Sequence, residues 1–258
     1  MSAIAIGMCT TPDRVPDLAP GYDYLELSVS GTLIPLEDNA TYAATLQELR
    51  ALTPPIKAFN VFAPPQLRLV GPDVDWPKVE QYVTRAVSRA AELGGRTIVI
   101  GSGAARAVPE GFSRDKAWEQ LARMINICAD AAEPLGVTMA IEPLNHNETN
   151  LINSYLEGVK MAREIDRPGV RVLADLYHFE VDGEPLEDIL QAPEWLAHVH
   201  VADTGRLYPG SGSYPLPRLF EILKDVSYRG GVSIECRWGD DLTGESARAL
   251  DFLRSLAY

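Results

Sequence analysis

Short apolar runs of β character alternate with longer stretches of helical spacing along the whole of this sequence, and no linker interrupts them. That rhythm implies parallel strands joined by helical crossovers. The β-type runs fall at 4–8, 24–29, 57–62, 97–101, 137–144, 170–175, 196–203 and 232–236. Helical spacing fills 42–52, 76–93, 114–134, 155–164, 187–191, 216–224 and 244–256, as in Trp118, Leu121, Ala122, Met124, Ile125 and Cys128. Eight strands with their helices make a closed barrel the economical solution, and 258 residues is an ordinary length for one. The expected fold is therefore α/β, a single (β/α)8 TIM barrel over 1–258. The first connection, 8–21, is rich in proline and poor in helical pattern, so an irregular turn is expected there. Residues 63–76 form a long loop on the side where barrels build their sites; a lid and a proline-stiffened surface loop both fit it.

The stretch 137–150, VTMAIEPLNHNETN, shows how strand ends are used. Val137 to Ile141 reads as a buried parallel strand, and Glu142 then takes its last position before Pro143 stops further pairing. Glu142 either caps the following segment or is delivered to a site. The same design recurs at Asp175 in VLADLYHF, at His200 in LAHVHVADTGR and at Glu235 in VSIECRW. In a barrel those ends converge. Each has an ordinary explanation alone: Glu235 could pair with Arg237, Asp175 could cap a helix, and His200 could be a satisfied core imidazole. Four such groups at successive strand ends are harder to explain away, because a buried charge without a partner costs several kcal/mol.

Three carboxylates and one imidazole suit a divalent ion, with manganese, magnesium or cobalt favoured over zinc because no thiolate stands at these positions. His198 shares the strand face of His200 and is assigned to packing or support. His178, three residues past Asp175, is expected in a loop within reach of a ligand. Arg206 opens the turn-rich RLYPGSG and would aim a guanidinium at the barrel mouth, unless it forms a surface ion pair.

A formal charge of −13 works against binding a polyanion, so nucleic acid is not an expected partner. MSAIAIGMCT carries no basic segment ahead of its apolar residues, and no run approaches the ~20 residues needed to cross a bilayer. The expected setting is soluble and cytoplasmic, away from membranes. Cys9, Cys128 and Cys236 are too widely spaced for a disulfide framework or a zinc ribbon and read as buried thiols.

The motifs IEPLN with Glu148 six residues beyond Glu142, DLYH, HVHVADTGR followed by PGSG, and SIE resemble the sugar isomerase and epimerase family. That family includes ketose 3-epimerases and hydroxypyruvate isomerases on a xylose isomerase-like barrel. The resemblance covers Glu142 to Glu235; the first half matches only in rhythm. It implies that Glu142, Asp175, His200 and Glu235 bind the metal, that Glu148, His178 and Arg206 contact substrate, and that Glu142 and Glu235 form the acid–base pair. The implied activity is isomerisation or epimerisation of a small hydroxy-carbonyl compound, a ketose or sugar derivative, through an enediolate. A metal-dependent dehydratase of a cyclic polyol or keto acid on the same barrel is the alternative. A barrel that binds metal or sugar without catalysis would leave both candidate bases unexplained. Related apurinic endonucleases use a trinuclear zinc site that needs more histidines than His146, His178, His198 and His200 supply. A homo-oligomer is compatible with the sequence.

Overall fold

A computed structural model describes residues 4–257. Its strands are β1 (Ala5–Cys9), β2 (Tyr24–Ser28), β3 (Ile56–Asn60), β4 (Thr97–Ile100), β5 (Thr138–Ile141), β6 (Val170–Asp175), β7 (Leu196–Val201) and β8 (Gly231–Ile234). Each strand pairs in parallel with the next, and β1 pairs with β8, which closes the barrel in sequence order. The helices are α1 (Asn39–Arg50), α2 (Trp76–Glu92), α3 (Gly103–Arg106), α4 (Arg114–Ala132), α5 (Tyr155–Ile165), α6 (Leu176–Asp182), α7 (Asp188–Gln191), α8 (Leu216–Asp225) and α9 (Leu242–Leu256). None of them is long and apolar enough to cross a membrane.

Local chemistry explains the crossovers. In α2 the Asp75 carboxylate accepts from the Lys78 amide, Pro77 fits the first turn, and Val79, Tyr82, Val83, Ala86, Val87 and Ala90 are buried. The α4 helix begins on Ser113, which accepts from Lys116 N–H, and buries Leu121, Met124, Ile125 and Cys128. The main core lies between the sheet and these apolar faces.

Alternation along each strand sends the other half of the side chains into the lumen. On one flank the lumen holds Val99, Ala140 and Leu173, a cluster separate from the main core. On the other, Tyr24 lies so close to two glycines that a Cβ on Gly7 would come within 2.2 Å of its ring and one on Gly231 within 2.3 Å of its hydroxyl. Only glycine fits at either position.

Several expectations need adjustment. β5 ends at Ile141, so Glu142 stands one position beyond the strand, although its N–H still reaches the Ile100 carbonyl at 3.1 Å. β7 likewise stops at Val201 and β8 at Ile234, with the Glu235 N–H donating to Val201 O at 3.0 Å. His178 is not in a loop: it lies on α6, whose amino end Asp175 caps by accepting from Tyr177 N–H at 2.9 Å. The single turn of α3 was too short to leave a periodic signature. The 8–21 connection carries a 3-10 turn, Pro12–Asp17. Residues 63–76 are fastened in place, with Leu67, Leu69 and Val70 buried, Leu69 N–H bonded to Ala105 O, and Gly71 bonded both ways to the Gln120 amide. That packing is what the surface-loop reading expects. Of the three thiols Cys128 is buried, while Cys9 and Cys236 are partly exposed.

Candidate active site

The carboxyl ends of β5 to β8 bring Glu142, Asp175, His200 and Glu235 together. Register sets Asp175 directly beside His200 across β6 and β7. One ligand atom from each of the four residues lies within 4.8 Å of all the others. His200 Nδ1 stands between the two glutamates, 3.4 Å from Glu142 Oε1 and 3.6 Å from Glu235 Oε2. Two atoms of the cluster, Asp175 Oδ2 and His200 Nδ1, are buried without a hydrogen-bond partner. Leaving such atoms unmade costs about 1–3 kcal/mol each, which a cation on those lone pairs would remove. The donor set therefore fits a divalent ion.

The four ligands are not held alike. Both oxygens of Glu235 are occupied: Asn60 Nδ2 donates to Oε1 at 3.0 Å and Arg206 Nη2 to Oε2 at 2.6 Å. Burial alone would raise the Glu235 carboxyl, but His200 and Arg206 outweigh it and bring it down to about 2. Asp175 moves the other way, because its burial outweighs the attraction of His178 and His200. Burial opposes a charged His200, yet Glu26, Cys9 and Glu235 together raise its pKa well above the usual histidine value. Glu142 is positioned through its backbone: the wholly buried Arg106 donates to Glu142 O at 2.7 Å and to Ile100 O at 3.1 Å. Burial lowers Arg106 to about 10, with Glu142 and Glu148 opposing, so it remains a cation at neutral pH. A Cβ on Gly101 would meet Glu142 Oε2 at 2.1 Å, so glycine there leaves the carboxylate its place.

Arg206 sits at the mouth on a turn built by Asp203, whose buried carboxylate accepts from the N–H groups of Thr204, Gly210 and Tyr214. Gly205 and Arg206 both have positive φ, 74° and 61°, which turns the guanidinium inward over the Tyr177 ring at 4.5 Å. Its Nη1 lies 3.5 Å from Glu148 Oε1, so it bridges the loops after β5 and β8. Asn145 links Glu148 to His178, donating from Nδ2 to Glu148 Oε1 at 3.2 Å and lying 2.7 Å from His178 Nδ1. His178 Nε2 is 3.5 Å from Asp175 Oδ2.

All seven residues singled out in the sequence thus gather at one end of the barrel. Glu235 pairs with Arg206, not with its neighbour Arg237. His146 stays at the surface against Asp182. Three contributors escaped the reading: Glu26, Asn60 and Arg106. A signal existed for Glu26, a lone carboxylate inside the apolar run Tyr24, Leu25, Leu27 and Val29. Asn60 and Arg106 have none in one sequence, since their partners are 175 residues away or are main-chain carbonyls.

The closed parallel barrel with its acid and imidazole cluster at the strand carboxyl ends defines a class of fold and site before any relative is considered. Residues 18–256 match the family described as xylose isomerase-like TIM barrel, and the chain belongs to that family. A D-psicose 3-epimerase from Ruminiclostridium cellulolyticum is 32% identical over 119 residues, 46% of this chain and 41% of that protein. A ketose 3-epimerase from Arthrobacter globiformis is 29% identical over 184 residues, 69% of this chain and 62% of that protein. The chain thus matches less than two thirds of either relative's length. The crystal structure of a 3-keto-D-glucoside 4-epimerase from E. coli in apo form shares the fold, with a TM-score of 0.81 at 20% identity over 98% of this chain and 99% of that one.

Proposed function

We propose that the protein is a divalent-metal-dependent isomerase or epimerase of a small hydroxy-carbonyl compound, a ketose or sugar derivative, working as a single barrel domain over 1–258. The observation that carries this reading is the pair of unpartnered buried atoms, Asp175 Oδ2 and His200 Nδ1, set between two carboxylates on β5 and β8. Glu142, Asp175, His200 and Glu235 would hold the ion, and their oxygen-rich set favours manganese, magnesium or cobalt over zinc. When bound, the ion supplies electrostatic stabilisation for negative charge developing on adjacent carbonyl and hydroxyl oxygens.

The proton chemistry belongs to the chain. Glu142 and Glu235 flank His200, so a substrate seated between them presents its carbon-bound hydrogen to one carboxylate and receives a proton from the other. The deprotonated substrate is an enediolate. A hydrolase needs only one base, whereas movement of a proton between two faces or two carbons uses a base and a conjugate acid. Arg206, His178 and Glu148 line the approach and orient hydroxyls, and Asn60 fixes the rotamer of Glu235. The ketose 3-epimerases among the relatives make inversion at carbon 3 of a ketose the first reaction to examine.

The test is turnover of metal-loaded protein in deuterium oxide with a panel of ketoses, hydroxy-aldehydes and inositol derivatives. Solvent deuterium on the carbon beside the carbonyl, together with a recoverable isomer or epimer, is the expected result. Water elimination without an isomer would point to dehydration, and no deuterium in any substrate would remove enediolate chemistry.

A further inference from the structure

Glu26 is fully buried in the lumen, and the hydrogen-bond partners of its carboxylate are side chains of β7 and β8. His200 Nε2 lies 2.8 Å from Oε1, while His198 Nε2 at 2.7 Å and Ser233 Oγ at 2.6 Å share Oε2. The Tyr24 hydroxyl stands 2.8 Å from Ser233 Oγ. Two imidazole nitrogens and one hydroxyl thus converge on a single buried carboxylate. An ionised carboxylate only accepts hydrogen bonds, so His200 Nε2, His198 Nε2 and Ser233 Oγ must all donate. The Tyr24 hydroxyl then donates to Ser233 Oγ. Of Tyr24, Glu26, His198, His200 and Ser233, only His200 leaves a buried side-chain atom without a hydrogen-bond partner, and that atom, Nδ1, faces the four-ligand cluster.

From this geometry we infer that Glu26 is a positioning residue that keeps the His200 proton on Nε2 and commits Nδ1 to the ion, with His198 and Ser233 holding Glu26 in turn. The inference rests on the metal reading above and adds to it the nitrogen that ligates and the residue that selects it. A carboxylate behind a ligating imidazole fixes its tautomer and strengthens it as a donor, and losing such a partner weakens metal binding by about 10–100-fold. Two histidines on one carboxylate also explain why His198 shares the strand face of His200 without joining the cluster.

The test uses zinc as a diamagnetic probe. Proton–nitrogen correlation spectra of the histidine rings in the zinc-loaded protein should show His200 protonated on Nε2 with Nδ1 on the metal. Zinc on Nε2 overturns the inference, and a purely structural Glu26 would not dictate this choice. Chelator competition should find zinc bound about 10–100-fold more weakly by Glu26→Gln than by the parent. A folded Glu26→Gln that binds within about twofold of the parent overturns the inference too. Should Glu26→Gln fail to fold, the spectra of the parent decide alone. A parent that takes up no ion at all defeats the metal reading and this inference with it, whereas normal uptake through the wrong nitrogen defeats only the latter.

Discussion

Between β4 and β6 the barrel lumen holds Val99, Ala140 and Leu173, whereas from β7 through β8 and β1 to β2 it holds His198, His200, Ser233, Gly7, Tyr24 and Glu26. Both flanks are buried, and each carries two of the four candidate ligands at its rim. Glu142 and Asp175 rise from the apolar flank. They are placed by backbone: Arg106 grips the Glu142 carbonyl, and Asp175 caps α6. His200 and Glu235 rise from the polar flank and are placed by side chains, Glu26 on one and Asn60 with Arg206 on the other. The difference shows two solutions to the same problem. Apolar packing sets where the strands end, while a fully connected polar network sets how an imidazole is turned.

Truncation on the apolar side offers the largest effect that would separate these roles. Leu173→Ala should lower stability by about 2–5 kcal/mol in denaturant unfolding, because it opens a cavity in a closed cluster. Metal affinity of the folded protein should stay at the parent level. A large loss of affinity would mean that the apolar flank also tunes the site.

Removing one base from each flank comes next. Glu142→Gln and Glu235→Gln should each depress interconversion by about 10²-fold or more, measured as kcat/KM with a reactive ketose. The losses should not add in the double variant, since one base alone leaves the proton cycle incomplete. Additive losses would assign the two glutamates to independent tasks.

Arg206→Ala addresses the side-chain support of Glu235. It should reduce turnover by roughly tenfold at unchanged metal content, the scale of one lost charge-assisted contact. A normal kcat/KM would take Arg206 out of the site.

The smallest expected effect is a pH trend. Because burial is outweighed by Glu26, Cys9 and Glu235, metal-free His200 holds its proton above the usual histidine value of 6.5. An ion can take Nδ1 only from the neutral ring, so uptake must displace that proton. Affinity should therefore rise as pH increases past 6.5, and calorimetry in buffers of different ionisation enthalpy should detect proton release. Uptake that is flat with pH would contradict the assignment of His200.

How much of this was readable follows the same division. The barrel was legible because parallel strands buried on both sides leave continuous apolar runs such as Val137 to Ile141, and amphipathic helices separate them. The four ligands were legible because a polar residue that ends an apolar run is visible locally. Boundaries slipped where pairing continues through the backbone past the last ladder residue, as at Glu142 and Glu235. His178 was misplaced because one short helix, Leu176–Asp182, has too few turns to show a period. Glu26 left a local signal, a carboxylate inside an apolar run, whose partners only barrel closure supplies, while Asn60 and Arg106 left none because they act on a distant side chain and on main-chain carbonyls.

The central claim is that the strand ends of β5 to β8 form one metal site. Calorimetric titration of chelator-stripped protein with manganese tests it most directly, on the parent and on Asp175→Ala and His200→Ala variants shown to be folded by circular dichroism. The account predicts one ion per chain in the parent and loss of that binding in both variants; variants that hold manganese as tightly as the parent would contradict it.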